Sequence, residues 1–116
     1  DADYTETIFM HPTILFRYSA IGFVGHRIHY DYPYTKNEEN YPDLIVHGPL
    51  QATFLLRAAE KLKGKTVTSF SHKVMAPVFA NSDYIIGAKE NTDGSVSCWG
   101  AVKGSGMTMQ AEARFE

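Results

Sequence analysis

The chain has 116 residues, 44% apolar, 21% charged and 13% aromatic, enough for one compact domain over residues 1–116 that buries about two thirds of its unfolded surface. Eleven Lys and Arg against 13 Asp and Glu give a formal charge of −2, so there is no basic excess to hold a polyphosphate backbone and nucleic acid is not an expected partner. The one cysteine, Cys98, excludes an internal disulfide and a thiolate metal cluster. With no run near the ~20 apolar residues of a spanning helix and no leader pattern, it points to a reducing interior: the cytoplasm, or the mitochondrion of a eukaryote. A start at Asp1 fits a processed form, a trimmed chain or one half of a longer polypeptide.

Taken in chain order, Asp1 to Pro12 is polar and without period and reads as a lead-in. Thr13 to Ala20, TILFRYSA, is a short apolar run rich in β-branched and aromatic residues, which predicts a strand. From Ile21 to Asp43 the composition turns to Gly, His, Tyr, Pro and Asn around the charged cluster Lys36, Glu38 and Glu39, a long loop with room for a short helix. A helix is predicted from His47-Gly48-Pro49 to Lys63, about 22 Å long at 1.5 Å per residue. Pro is tolerated in its first turn, and Gly64 follows the basic end Lys61 and Lys63 as a stop.

Leu50, Phe54, Leu55, Ala58, Ala59 and Leu62 recur on that helix at steps of three and four, and Ala52 and Leu56 widen the stripe. After Gly64 four strands are predicted: Val67–Ala76 with Pro77 as its break, Asp83–Glu90 ending in the turn Asn91–Gly94, Val96–Lys103, and Met107–Phe115. In the last, Met107, Met109, Ala111, Ala113 and Phe115 alternate with Thr108, Gln110, Glu112 and Arg114. Gly104-Ser105-Gly106 is a turn or a bulge. The order of strand, loop, one helix and four meandering strands gives an α+β class, with an antiparallel sheet wrapped around one long central helix. A helix lying on a flat sheet is the alternative.

Candidate chemistry concentrates between Tyr18 and Leu50, where His26, His29 and His47 keep company with Arg27, Asp31, Tyr30 and Tyr32. Imidazoles exchange protons near neutral pH, so this density points to acid/base work beside an anion-binding cation. If Gly25–Asp31 is helical, His26 and His29 share a face; if it is extended, only one can act. His11 and His72 read as ordinary polar residues. In VHGPL, Val46–Leu50, Gly48 opens a helix whose first-turn N–H groups carry partial positive charge, suited to a carbonyl that develops negative charge, although an ordinary helix start has the same look. A metal on His26, His29 and Asp31 is a third reading, but no further donor cluster supports it and no metal is expected.

LFRYSAIGFVGHRIHYD at Leu15–Asp31 and YPDLIVHGPLQATFLL at Tyr41–Leu56 resemble the MaoC-like hydratase family, in its branch of hydroxyacyl-thioester dehydratases type 2 and 3-methylfumaryl-CoA (mesaconyl-CoA) hydratases. The resemblance implies a hot-dog fold and a hydro-lyase that adds or removes water across the α,β-double bond of an acyl thioester, usually of coenzyme A, with no cofactor beyond the coenzyme A of the substrate. The family motif D-x-N-P-x-H puts its final His on His29, its Asn on His26, its Pro on Arg27 and its Asp on Val24. The type 2 branch commonly has Asn where Val24 stands. A valine neither takes a proton nor holds a water, so His29 acts with His26, acts alone more slowly, or the domain binds thioesters without turnover.

Gly48 matches the glycine whose N–H polarises the thioester carbonyl. His29, His26 and Gly48 are thus the expected catalytic residues, with Arg27, Val24, His47 and Tyr30 lining the substrate; Arg27 is placed to pair with a carboxylate on a dicarboxylic acyl group. A thioesterase on the same fold is the alternative enzyme, but Asp31, Glu38, Glu39 and Asp43 lack the setting of its base. A non-catalytic half completing a partner's pocket is the other alternative. A homodimer, higher homo-oligomer or fused double hot dog is implied, because such sheets bury their edges by pairing.

Overall fold

The structure, a computed structural model, describes residues 2–115. β1 (Tyr4–Phe9) lies within the expected lead-in. It pairs antiparallel with the third strand, from Tyr4 opposite Ala88 to Phe9 opposite Asp83. Its period is visible only in burial, with Tyr4, Glu6 and Ile8 half-buried; the neighbour's ladder, not an apolar run, makes it a strand. The segment expected to be the first strand, Thr13–Ala20, is instead helical: α1 spans Pro12–Ile21. Pro12 occupies the first turn, where its missing N–H costs nothing, and only Leu15 and Ser19, four residues apart, are buried. A helix needs one covered stripe, so the neighbouring Phe16 stays exposed and the contiguous apolar run misled the strand prediction.

The predicted loop holds a 3-10 turn at Arg27–His29 and α2 (Tyr32–Asn37). Asp31 caps α2, its Oδ1 accepting from the Tyr34 N–H at 3.1 Å. α3 (Gly48–Lys63) matches its prediction. Gly64 ends it at φ +72°, with its N–H donating to the Glu60 carbonyl at 2.8 Å, a left-handed cap that a Cβ would penalise.

β2 (Ser69–Val74), β3 (Asp83–Glu90), β4 (Val96–Val102) and β5 (Gly106–Arg114) complete a five-stranded antiparallel sheet in the order β1-β3-β4-β5-β2. Only β3, β4 and β5 meander. β2 was expected to continue into β3 as a neighbour, but it crosses to the far edge beside β5. α3 touches all five strands, and Leu55, Ala58 and Ala59 pack with Tyr84, Ile86, Val96, Met109 and Ala113 in one buried cluster. This is the hot-dog arrangement the resemblance implies. Glycines make room where aromatics lie against the sheet: a Cβ on Gly87 would fall 2.3 Å from the Trp99 indole, and one on Gly100 1.9 Å from the Tyr84 hydroxyl.

The expected clean alternation of β5 is broken by a bulge opposite Gly100/Ala101. Gly100 pairs with Met109 and Ala101 with Met107, so Thr108 is the extra residue. It turns inward, 3% exposed, while Met107 is 40% exposed.

Candidate active site

His29 ends the 3-10 turn, and its Nδ1 lies 2.6 Å from the carbonyl oxygen of Ile45. A carbonyl only accepts, so Nδ1 carries the hydrogen and the neutral ring keeps its lone pair on Nε2. The tautomer is therefore that of a base. The segment carrying this carbonyl is itself held: the Ile45 N–H donates to the Ile28 carbonyl, and the Val46 N–H to that of Val78.

The His29 ring stacks on His47, centroids 3.8 Å apart and planes at 18°. His47 is only 2% exposed, and its Nε2 is 2.7 Å from the Ser19 hydroxyl of α1. Its ring also lies 4.7 Å from the Tyr18 ring, centroid to centroid and tilted at 59°. Its Nδ1 is buried without a hydrogen-bond partner among the described residues. Burial, and then the charge of His29, pushes the His47 pKa down to about 4. Burial also lowers that of His29, against the Ile45 carbonyl, which favours the charged ring, and with a smaller push from His26. Desolvation penalises the imidazolium form, so both stacked rings are neutral at pH 7.

His29 and Gly48 line the same cleft, about 450 Å³ in volume, with Gln51 one turn further along α3 and Val74 and Met75 at the end of β2. This explains why Val74 is exposed rather than packed on the inner side. Gly48 is the first residue of α3, and its N–H is one of those an α-helix leaves without an internal acceptor. A lone pair and a free donor thus border one cavity, an arrangement able to move a proton beside a polarised carbonyl.

The other expected site residues are placed differently. His26 is exposed, its ring 5.9 Å from that of His29. Val24 and Tyr30 line a separate apolar groove of about 340 Å³ with Phe16, Ser19 and Phe23. Arg27 donates from Nε and Nη2 to Asp31 Oδ2 at 3.0 and 2.9 Å and lies 4.0 Å over the Tyr34 ring, so its fork is already engaged. His47 was expected to touch substrate; it is walled in behind His29 instead. Three of the four acids of the loop have structural partners: Asp31 holds Arg27 and caps α2, Glu39 accepts from the Tyr34 hydroxyl, and Asp43 accepts from the Leu44 N–H and Asn81, while Glu38 is exposed and does not line the cleft. Among the described residues no group of three or more His, Cys, Asp or Glu could hold a metal ion.

Ser19 and Gln51 were not found from sequence. Ser19 sits four residues after Leu15, a buried pair visible only once the segment is read as a helix. Gln51 lies next to the apolar stripe of α3 and is buried there as a polar exception.

Comparison with known proteins agrees with this architecture. The mesaconyl-C(4)-CoA hydratase of Chloroflexus aurantiacus is 43% identical over 89 residues, 77% of this chain and 32% of that protein. The mitochondrial hydroxyacyl-thioester dehydratase type 2 of Schizosaccharomyces pombe is 37% identical over 73 residues, 60% of this chain and 24% of that protein. The chain thus spans about a third or less of the length of these relatives. A MaoC-like dehydratase structure superposes with TM-score 0.83 at 20% identity over 100% of this chain and 40% of that one. The ChsH1-ChsH2 complex of Mycobacterium tuberculosis gives TM-score 0.77 at 14% identity over 95% of this chain and 90% of the matched one; at such identities the likeness is one of fold. The profile of hydroxyacyl-thioester dehydratases type 2 matches residues 1–80, well over half of the sequence, and the chain belongs to that family.

Proposed function

We propose that this domain hydrates enoyl thioesters of coenzyme A, or dehydrates the corresponding 3-hydroxyacyl thioesters. The observation that carries the proposal is the His29 ring, held with its lone pair on Nε2, and the free N–H of Gly48 at the border of one cleft. The thioester oxygen accepts from Gly48, which draws electrons from the β-carbon. His29 Nε2 takes a proton from water, the hydroxide oxygen bonds to the β-carbon, and the electron pair of the double bond moves into an enolate whose charge the helix end stabilises. The imidazolium then returns its proton to the α-carbon. Dehydration is the same path reversed. A base and a polarising donor contribute a few kcal/mol each, together a factor of several thousand in rate.

In this reading His29 acts without a carboxylate or a second imidazole lining the cleft, whose one other ionisable side chain among the described residues is Tyr41, since Val24 faces the other groove and His26 is exposed. Those two facts also favour a second reading, in which the domain binds thioesters for a partner without turnover. A thioesterase gains no support, because Asp31, Glu39 and Asp43 are occupied structurally and Glu38 is exposed outside the cleft. Loss of the conjugated absorbance of crotonyl-CoA, followed beside a free-thiol assay, separates the three. We expect hydration without thiol release, lowered 10²- to 10⁴-fold in His29→Ala. Binding without turnover would establish the second reading, and thiol release the third.

The assembly we propose is a pair of hot-dog domains, as a homodimer, a larger homo-oligomer or with a second domain of a longer chain. β1 and β2 are the outer strands of the sheet, and unpaired edges of this kind invite a partner. The M. tuberculosis neighbour is a two-protein complex, and the matched segments make up only 32% and 24% of the two relatives. No helix of the described residues is long and apolar enough to cross a membrane. A cytoplasmic site, or a mitochondrial one as named for the S. pombe relative, and a reaction using no cofactor beyond the substrate's coenzyme A complete the proposal.

A further inference from the structure

His47 takes no part in the steps above, and its side chain does nothing for the helix it precedes. Its carbonyl accepts from the Gln51 N–H at 3.1 Å, but its ring makes no capping hydrogen bond to α3. The ring turns instead toward α1 and the 3-10 turn, where Nε2 meets the Ser19 hydroxyl and Nδ1 is buried without a partner among the described residues. A buried polar atom left unpaired weakens a fold. Stability alone therefore does not account for an imidazole at this position.

The ring of His29 has one hydrogen bond, from Nδ1–H to the Ile45 carbonyl at 2.6 Å. That bond fixes one nitrogen but leaves the ring free to turn about the line of the bond, and turning changes the plane in which the Nε2 lone pair lies. The stack on His47, 3.8 Å between centroids with planes at 18°, supplies the missing restraint. A ring held at one edge and over one face has a single orientation. The face that His47 covers is also closed to water. His47 is held in turn by Ser19 at 2.7 Å and lies against the Tyr18 ring, both on α1.

We infer that His47 is a positioning residue: tethered to α1 through Ser19, it is a flat platform that fixes the plane of the His29 ring and with it the aim of Nε2. The inference rests on the hydratase reading for the reaction that His29 serves. The titratable groups around the stacked pair are Tyr18 of α1 against His47, His26 of the loop with its ring 5.9 Å from that of His29, and Tyr41 on the wall of the cleft. Among the described residues no carboxylate, Lys or Arg is hydrogen-bonded to either ring.

The test compares His47→Gln, which keeps a partner for Ser19 but has no ring, with His47→Phe, which keeps a ring face but has no partner for Ser19. Crotonyl-CoA hydration gives kcat and KM. NMR titration of the His29 ring, assigned by its loss in His29→Ala, reports its surroundings without substrate. We expect the Gln variant to lose about 10- to 100-fold in kcat, the cost of an ill-aimed group, with KM unchanged because His47 does not line the cleft. The Phe variant should lose less. The His29 Cε1–H resonance should lie upfield in the unaltered and Phe proteins, where it sits over a ring face. In the Gln variant it should move back, and the titration midpoint should climb toward 6.5 as water reaches the uncovered face.

A role confined to the Ser19 bond would make Phe as slow as Gln or slower, and overturns the inference. So does a Gln variant as fast as the unaltered protein, or a change in KM alone, which would put His47 against the substrate. A His29 resonance that is not upfield in the unaltered protein, or is unmoved in the Gln variant, removes the platform and overturns the inference whatever the rates. If no form hydrates crotonyl-CoA, the hydratase reading fails, while the resonance and midpoint still decide whether His47 holds His29. Should His47→Phe fail to fold, those two readings in the unaltered and Gln proteins suffice.

Discussion

His47→Gln is expected to remove much of the protein's sensitivity to mild acid, independently of any substrate. In the unfolded chain this imidazole titrates near 6.5, whereas burial against Ser19, Tyr18 and His29 holds it down to about 4 in the fold. Between those values the unfolded state binds a proton that the folded state refuses, so stability rises with pH across the window and is lost as pH falls from 6.5 toward 4. The full difference corresponds to about 3 kcal/mol. Acidification from neutrality to about pH 5 uses about 2 kcal/mol of it, before most carboxylates begin to titrate. The lowered pKa of His29 adds a loss of the same sign. Glutamine retains a group for the Ser19 hydroxyl but takes no proton. Urea midpoints converted to unfolding free energies at intervals from pH 5 to 7.5 measure the slope in both proteins. The variant should be less stable at pH 7.5 yet show a shallower decline, the two curves converging by about 2 kcal/mol at pH 5. Parallel curves would mean that the buried ring titrates as freely folded as unfolded, and would refute the placement of a neutral His47 behind His29.

The same lowered pKa of His29 sets the pH profile of the proposed hydration. The acid limb of kcat/KM should reach half its plateau below pH 6.5, since the base is lost only when the folded ring protonates; a midpoint at or above 6.5 would exclude this ring, as placed, as the base. Gly100→Ala should destabilise the fold by about 1–3 kcal/mol by driving a methyl into the Tyr84 hydroxyl, seen as a lower denaturant midpoint. An unchanged midpoint would show that the close approach relaxes freely.

What could be read from the chain alone was what short windows encode. Pro49 and Gly48 start α3, Gly64 stops it, and the three-and-four spacing of Leu55, Ala58 and Ala59 faces it inward; each signal acts within a turn or two. β3 was legible for the same reason, whereas the choice of His29 and Gly48 as candidates came from resemblance. Tertiary structure decided the rest. Tyr4–Phe9 becomes a strand because β3 offers it a ladder, and TILFRYSA becomes a helix because only Leu15 and Ser19 find cover. The Ser19 to His47 hydrogen bond joins residues 28 apart in sequence, and Gln51 meets Thr108 across 57. No local window contains such contacts. Whether Val24 or Gln51 borders the cleft of His29 and Gly48, and whether Arg27 is free or already paired, depends on where the wrapped sheet and the loop come to rest against the central helix, and that follows from the packing of the whole core.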